Sequence, residues 1–290
     1  MSATVISILA GLGGMFGWGI YDFFAGVYSK QIGPFATYFW SQLAGLLFVL
    51  VVLGLVFTPI ELPVVALALL PVAALLYSAG YLFFMQGFAI GNISIVAAIM
   101  NMWAVFTMLT AFIFMGQRLT GMQTAGAVMI ILGAVIASLH WKDLTKSGSF
   151  RLSLGVKETL VGAFFFGTFW NISEIVAEEI GWLLTTVGVK LLTVVALAGF
   201  SWLTLRNRSL HSPRGKPLAV ILAIGCIEAG AVALVNYGLT VGEAILITPI
   251  ASALSVVTIA LAFVLRNEHV SRLQQFGMLT AVGGIVLTGV

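Results

Sequence analysis

The chain has 290 residues, of which 61% are hydrophobic and 8% are charged, and its formal net charge is +3. An ordinary soluble domain carries roughly 25% charged residues and needs a charged surface, so this composition excludes a soluble globular protein. The small net charge, without a basic patch interleaved with aromatic residues, argues against binding to nucleic acid. A single cysteine, Cys226, excludes a disulfide framework.

Blocks of roughly 20 apolar residues, each long enough to cross the hydrocarbon of a bilayer as one helix, fill almost the entire sequence. The N-terminal segment lacks the positive start of a cleaved signal peptide, so we expect a spanning helix there. In chain order, the predicted transmembrane helices are Val5–Val27, Pro34–Phe57, Val64–Gly87, Asn92–Met115, Gly121–Trp141, Val156–Ala177, Leu183–Leu205, Pro217–Thr240, Glu243–Leu265 and Ser271–Gly289. The connections are short, so neighbouring helices must run antiparallel.

Lysine and arginine are distributed unevenly between the two sets of connecting loops. Eleven of them follow odd-numbered helices, whereas one, Arg118, follows an even-numbered helix. Because cytoplasmic loops are enriched in positive charge, we predict that the odd-numbered loops are cytoplasmic and that both termini lie outside. The expected location is therefore the cell (inner) membrane, with multiple passes.

The second half of the chain repeats the first at an offset of 151 residues. The clearest matches are the glycine pairs Gly126 with Gly277 and Gly133 with Gly284. Each repeat holds an odd number of predicted helices, so the two copies must be inverted relative to each other. We therefore predict an all-α polytopic membrane protein, with ten transmembrane helices arranged as two inverted five-helix repeats. The predicted units are residues 1–141, a cytoplasmic linker of residues 142–156, and residues 157–290.

Both predicted repeats end in an apolar helix, a short turn with an acid or amide, and a final helix with spaced glycines. These segments read FIFMGQRLTGMQTAGAVMIILGAVIA (Phe112–Ala137) and FVLRNEHVSRLQQFGMLTAVGGIVLTG (Phe263–Gly289), and AILITPI (Ala244–Ile250) precedes the second. The pattern resembles the EamA branch of the drug/metabolite transporter superfamily over the full chain. The resemblance implies a ten-helix transporter. The turn acid usual in the family is Glu268 in the second copy, whereas the first copy departs from the pattern with Gln117. We expect a structural role for this turn.

A narrower similarity is to the bacterial aromatic amino-acid exporters of the same superfamily. It rests on Trp103, Thr107 and the adjacent Gly116 and Gln117. Other residues of that subgroup do not line up with this sequence. The similarity implies amino-acid export as one candidate function.

Four ionisable residues fall within predicted spans, where a charge is costly and is expected to face the protein interior or a wet cavity. For Glu174 and Lys190 we expect an ion pair between adjacent helices, or side chains that reach the interface. Asp22 is an interfacial residue, a partner of Lys30 or a functional group. Glu228 lies too deep and is too short to reach water, so it must be protonated, paired with a cation or exposed in a cavity. It is the candidate for proton coupling.

Aromatic and amide side chains deep in the predicted helices suit a largely apolar pocket with a few orienting polar groups. With Asp22 and Glu228, the predicted substrate-binding residues are Trp18, Tyr81, Asn101, Trp103, Trp170, Asn171, Asn236 and Tyr237. We expect Trp103, Trp170 and Asn236 to line a central cavity beside Glu228.

Two further predictions come from the positions of glycine and tryptophan. The last helix of each repeat is almost purely glycine and aliphatic, which favours a peripheral packing role. The first helix is dense in glycine, which favours close packing and bending. Tryptophans near the span ends are expected to anchor the chain at the membrane interface. These are Trp141, Trp182 and Trp202.

The leading functional hypothesis is a secondary transporter of small, partly apolar metabolites such as amino acids, amines or drug-like compounds, working by alternating access. An intramembrane enzyme is the first alternative, but we find no zinc-protease pattern or nucleophile elbow and expect no catalytic residue, metal or cofactor. A channel is the second alternative, although no helix carries a continuous polar stripe. The expected partners are the lipid bilayer and a small-molecule substrate, with proton coupling and a monomer or homodimer left open.

Overall fold

A computed structural model describes residues 2–56, 63–90, 99–138, 155–204, 213–266 and 271–288. Within these ranges the chain is helical and contains no strand. The helices are α1 Ala3–Ile32, α2 Pro34–Leu55, α3 Val64–Ile90, α4 Trp103–Thr110, α5 Gly121–Ser138, α6 Val156–Thr204, α7 Lys216–Leu239, α8 Ala244–Ser252, α9 Leu254–Arg266 and α10 Arg272–Thr288. A π-helical turn, Ala111–Met115, continues α4.

Six stretches of the described chain are helices long and apolar enough to cross a membrane, and shorter apolar helices lie at Trp103–Met115 and Gly121–Ala137. The prediction of an all-helical membrane protein is therefore confirmed. The count of ten spans stays a prediction, because the predicted fourth helix begins in residues 91–98, outside the described ranges. The predictions about Glu268, Trp141 and most of the linker also concern residues outside those ranges.

Gly181 divides the long helix α6 into two arms. Its backbone angles, φ 78° and ψ 160°, are not helical and are accessible mainly to glycine. The first arm covers residues 156–180 and the second arm covers residues 182–204, which agrees with the separate predicted helices that end at Ala177 and begin at Leu183. A smaller interruption at Ala253 separates α8 from α9, which together form the predicted ninth helix.

The offset of 151 residues relates the elements of the two halves. It pairs α1 with the first arm of α6, α2 with the second arm, α3 with α7, α4 with α9, and α5 with α10. Packing follows the same correspondence, because α1 packs along α7, and residues 162 and 166 of its counterpart, the first arm, pack against Gly80 and Phe84 of α3. The equivalent residues Tyr77 and Glu228, which stand 151 positions apart, also contact each other. Their contact marks the place where the two halves meet.

The glycines of α1 bring this helix into close contact with the second half of the chain. A Cβ at Gly17 would lie 2.5 Å from the Cβ of Ala231 in α7, and a Cβ at Gly19 would lie 2.5 Å from the Cβ of Val257 in α9. Small residues at helix interfaces allow backbones to approach in this way. The predicted close packing of the first helix is confirmed.

Helices α5 and α10 pack against each other through their equivalent glycines. A Cβ at Gly133 would lie 2.6 Å from the carbonyl oxygen of Gly277, and a Cβ at Gly126 would lie 2.8 Å from that of Gly284. Residues early in α5 therefore face residues late in α10, so the two helices run antiparallel. Two equivalent helices meet in this way when the repeats are inverted.

Adjacent glycines in α10 provide a matched test of this packing. A Cβ at Gly284 would lie 2.6 Å from the carbonyl oxygen of Gly126, whereas a Cβ at Gly283 would lie 3.5 Å from the Met129 side chain. We expect Gly284→Ala to destabilise the protein by about 1–3 kcal/mol through overpacking. Gly283→Ala should be neutral or stabilising by up to about 1 kcal/mol, because alanine favours helix. Thermal unfolding in detergent measures both, and equal effects would contradict the proposed contact.

Candidate functional site

Three tryptophans from different helices meet at the centre of the protein. Trp18 of α1 lies with its ring centroid 6.1 Å from that of Trp103 in α4 and 5.2 Å from that of Trp170 in the first arm of α6. All three side chains are buried. The indole N–H groups of Trp18 and Trp170 have no hydrogen-bond partner among the described residues. The cluster therefore joins both halves of the chain and leaves two neutral donors unpaired.

A small cavity of about 20 Å³ lies beside this cluster. Its lining consists of Trp18, Asp22, Tyr81, Phe84, Met100, Trp103, Phe166 and Leu254. A space of this size holds about one water molecule. The cavity of the described conformation is therefore too small for a metabolite, and a larger occupant requires the surrounding helices to separate.

Asp22 is the acidic residue on the cavity wall. Within the described residues its carboxylate makes no hydrogen bond and no ion pair, and the Lys30 side chain that we considered as a partner lies outside the described positions. The Tyr81 hydroxyl, on the same wall, also has no hydrogen-bond partner among the described residues. The cavity thus combines an aromatic lining with an unpaired carboxylate and a phenol.

A fully buried polar cluster lies behind this wall and contains Gln42, Tyr77, Lys190 and Glu228. Lys190 and Glu228 form an ion pair, and the Tyr77 hydroxyl donates to Oε1 of Glu228. The Lys190 ammonium also donates to Oε1 of Gln42 at 2.8 Å and to the Tyr77 hydroxyl at 3.2 Å. The Gln42 amide donates to Oε2 of Glu228 at 3.3 Å. Every member has a partner, which is the condition under which a buried ion pair is tolerated.

The polar cluster and the cavity are separated by one aromatic layer. The ring of Tyr77, which bonds to Glu228, lies 5.1 Å from the ring of Tyr81, which lines the cavity. The ring of Tyr38 stacks on that of Tyr81, with the centroids 4.9 Å apart. A displacement of this layer would therefore affect both the cavity wall and the buried ion pair.

Two expectations about the charged residues are wrong. Lys190 pairs with Glu228 instead of Glu174, because the second arm of α6 packs against α2, α3 and α7 and so faces the middle of α7. Glu228 does not line the cavity, because Lys190, Tyr77 and Gln42 enclose its carboxylate completely. Pairing with a cation, one of the three states that the sequence left open for Glu228, is the one observed.

Glu174 forms a different contact, at the N-terminus of α8. Its Oε1 accepts from the Gln117 amide at 2.7 Å, and its Oε2 accepts from the backbone N–H of Ala244 at 3.3 Å. Oε1 of Gln117 accepts from the backbone N–H of Ile245 at 3.2 Å. The two side chains thus satisfy N–H groups that a helix N-terminus leaves unpaired. The turn after the π-helical segment consequently has a structural role, as expected for Gln117.

The predicted asparagines lie in separate hydrogen-bond networks, outside the cavity lining. Asn236 accepts from Ser173 at 2.8 Å and donates to Thr186 at 2.9 Å, so it bridges α7 and both arms of α6. Asn171 donates to Thr110, and Asn101 donates to Ser255 at 3.4 Å. The expectation that Asn236 lines the cavity beside Glu228 is wrong, because its amide is occupied by these two helix contacts.

The remaining predicted tryptophan and tyrosine positions divide between the interior and the surface. Trp170 packs against Trp18 and Trp103 with tilted rings and is not among the residues that line the cavity. Tyr237 is 44% exposed and packs against Trp182, with ring centroids 6.2 Å apart. Tyr237 is therefore on the outer surface of the helices, away from the aromatic cluster.

Sequence reasoning missed Gln42, Tyr77 and Phe166. Glutamine, tyrosine and phenylalanine in a span do not carry the cost of a charge, so their types gave no signal. The internal repeat did contain a signal for Tyr77, because this residue is the counterpart of Glu228 at the offset of 151. Residues on a symmetry axis contact their own counterparts, which would have placed Tyr77 beside the buried carboxylate.

Comparison with known proteins agrees with this architecture. The profile of the EamA-like transporter family matches residues 5–139 and again residues 153–290. A solved structure described as "Crystal structure of protein" superposes with a TM-score of 0.80, with 97% of each chain covered and 18% sequence identity. No curated protein sequence matches at a significant level.

The two family matches cover nearly the whole chain, one in each half, so the protein belongs to the EamA-like transporter family of the drug/metabolite transporter superfamily. The recognition made from the two glycine-spaced segments is therefore confirmed. The likeness to the solved structure shows a shared fold over the full length.

The buried ion pair predicts a non-additive stability effect. Lys190→Met alone, or Glu228→Gln alone, leaves one buried group without its partner and should cost about 3–5 kcal/mol. The double variant Lys190→Met/Glu228→Gln removes both charges, and the new amide still accepts from Tyr77. We expect the double variant to unfold at a higher temperature in detergent than either single variant. Additive losses would show that the two residues do not stabilise each other.

Proposed function

We propose that this protein is a secondary transporter of small, partly apolar metabolites that works by alternating access in the cell membrane. The observation that supports it best is the small aromatic cavity between the two halves of a chain from a transporter family. Substrate sites of repeat-built transporters lie near the midplane where the repeats meet. Trp18 and Trp103 come from the first half and Phe166 from the second, which is the composition such a site requires.

The motion that we propose is a rocking of two inverted repeats against each other. The antiparallel contact of the equivalent helices α5 and α10 supports the inversion, and the glycine-lined contacts between α1 and the second half supply surfaces that can slide. Opening on either side would enlarge the cavity, which in its closed form holds about one water molecule. Positive charge in the odd-numbered loops supports a cytoplasmic location for them.

An intramembrane enzyme and a channel are the competing classes of function. A measurement of solute flux into proteoliposomes distinguishes both from a transporter. We expect saturable, time-dependent uptake of a labelled substrate into proteoliposomes. Trp103→Leu should reduce uptake at least about tenfold, because it removes a cavity wall and its aromatic contacts. Trp202→Leu, at a position 74% exposed, is the matched control and should transport normally. Unsaturable ion current or release of a chemically altered product would contradict the proposal.

Glu228 is the group through which we propose that transport responds to protons. Lys190 and Tyr77 face it directly, and Asp22, Tyr21, Tyr38 and Tyr81 are its other titratable neighbours among the described residues. Gln42 and Tyr77 belong to the first repeat and Lys190 and Glu228 to the second, so the hydrogen bonds of this cluster connect the two repeats. A proton on Glu228 would remove the ion pair and weaken this connection. The weaker connection would favour the motion between the form open to one side of the membrane and the form open to the other.

The double variant Lys190→Met/Glu228→Gln tests this coupling without leaving a buried charge unpaired. If Glu228 binds the coupling proton, the variant should still transport, but the dependence of its uptake rate on pH should be lost. Uptake by proteoliposomes across a pH series, compared with the unaltered protein, is the measurement. A variant that keeps the original pH profile would assign the pair to stability alone.

A further inference from the structure

Charge balance in the described helix interior singles out Asp22. The buried cation Lys190 is neutralised by Glu228, and Glu174 is held by Gln117 and by the N-terminus of α8. Asp22 has no hydrogen-bonded or ion-paired partner within the described part of the chain. Among the described residues of the helix interior, Asp22 is therefore the acidic side chain without a compensating partner, and it lies on the cavity wall.

The aromatic rings around Asp22 favour a positively charged ligand, as the carboxylate itself does. Trp18, Trp103 and Phe166 line the cavity together, with the Trp103 and Phe166 centroids 5.4 Å apart. Aromatic faces are electron-rich, and a cation within about 6 Å of a ring centroid is attracted to them. An aromatic cage with one carboxylate is thus complementary to an ammonium group that has an apolar body.

We propose that the transported substrate is a monovalent organic cation, a protonated amine with a small apolar or aromatic body, whose ammonium group binds Asp22. This assignment rests on the proposed transport function and specifies its substrate class. The apolar body would contact Trp18 and Trp103, and the Tyr81 hydroxyl would accept from the ammonium beside Asp22.

The cavity has no positively charged group that would bind an anionic ligand, as far as its described lining shows. No lysine, arginine or histidine is among the described residues that line it. Lys190, the buried cation behind the aromatic layer, already donates to Gln42, Tyr77 and Glu228 and has no exposed surface. A carboxylate or phosphate in the cavity would meet Asp22 without a compensating charge. A zwitterionic amino acid would place its carboxylate in the same unfavourable position.

Three phenyl compounds that share a ring and differ in charge test the assignment. They are phenethylammonium, phenylalanine and 3-phenylpropionate, used with the full-length protein in detergent at neutral pH. Binding is followed by quenching of tryptophan fluorescence, since Trp18 and Trp103 line the cavity. We expect saturable quenching by phenethylammonium and weaker or absent quenching by the zwitterion and the anion.

Variants of Asp22 identify the group responsible. Asp22→Asn should weaken phenethylammonium binding at least about tenfold, the loss expected when a charged partner is removed from a desolvated site. Asp22→Glu keeps the charge and should retain part of the affinity. Glu179→Gln removes an acid at an exposed position and is the matched control, with unchanged binding. Thermal unfolding of each variant establishes that it is folded.

The outcomes separate this inference from the proposed function. Tighter binding of phenylalanine or 3-phenylpropionate, no saturable quenching by phenethylammonium, or unchanged affinity in Asp22→Asn would overturn the cation assignment. Saturable uptake of any of the three compounds by proteoliposomes would still leave transport standing in that case. Channel-like current or chemical conversion would instead contradict the proposed function.

Discussion

The interior of this protein is organised by the cost of an unpaired charge in a medium without water. A charged side chain at the centre of a bilayer is unfavourable by about 2.5–3.5 kcal/mol on insertion scales and by more in other estimates. Lys190 and Glu228 meet this constraint by pairing, and Gln42 and Tyr77 complete their hydrogen bonds. The position of one ion pair therefore fixes how α2, α3, the second arm of α6 and α7 face one another.

Glycine contacts complement that polar cluster. Lipid tails are as apolar as the helices, so association in a membrane depends on close packing and a few polar contacts. The glycines of α1, α5 and α10 bring backbones together without specifying chemistry, whereas the buried cluster specifies which helices must meet. The two kinds of contact are therefore complementary, because the glycines allow close approach of the helix backbones and the polar cluster links side chains of both repeats.

The sequence predicted the elements better than the contacts between them. Hydropathy and charge define where a helix crosses the membrane, and recurring glycines define the repeat. The two separate helices that form the arms of α6, and the equivalence of α5 and α10, therefore followed directly from the sequence. The partner of Lys190 did not follow, because hydropathy gives the depth of a residue but not the direction in which its helix face points. By depth in the membrane, Glu174 and Glu228 were both possible partners of Lys190. Only the packing of α6 against α7 decides between them.

The separation of the ion pair from the cavity by one layer of tyrosines links the two sites. Lys190 neutralises Glu228, so Asp22 is the acidic residue of the cavity wall without a described ion-pair partner while the Lys190–Glu228 pair is intact. Loss of the negative charge on Glu228 would leave Lys190 positive behind Tyr77, whose ring already lies 5.2 Å from the ammonium. A cation beside Asp22 would then face a less favourable field. If Asp22 binds an organic cation as we propose, binding of a proton at Glu228 would oppose it, which is the relation that an exchange of the two across a membrane requires.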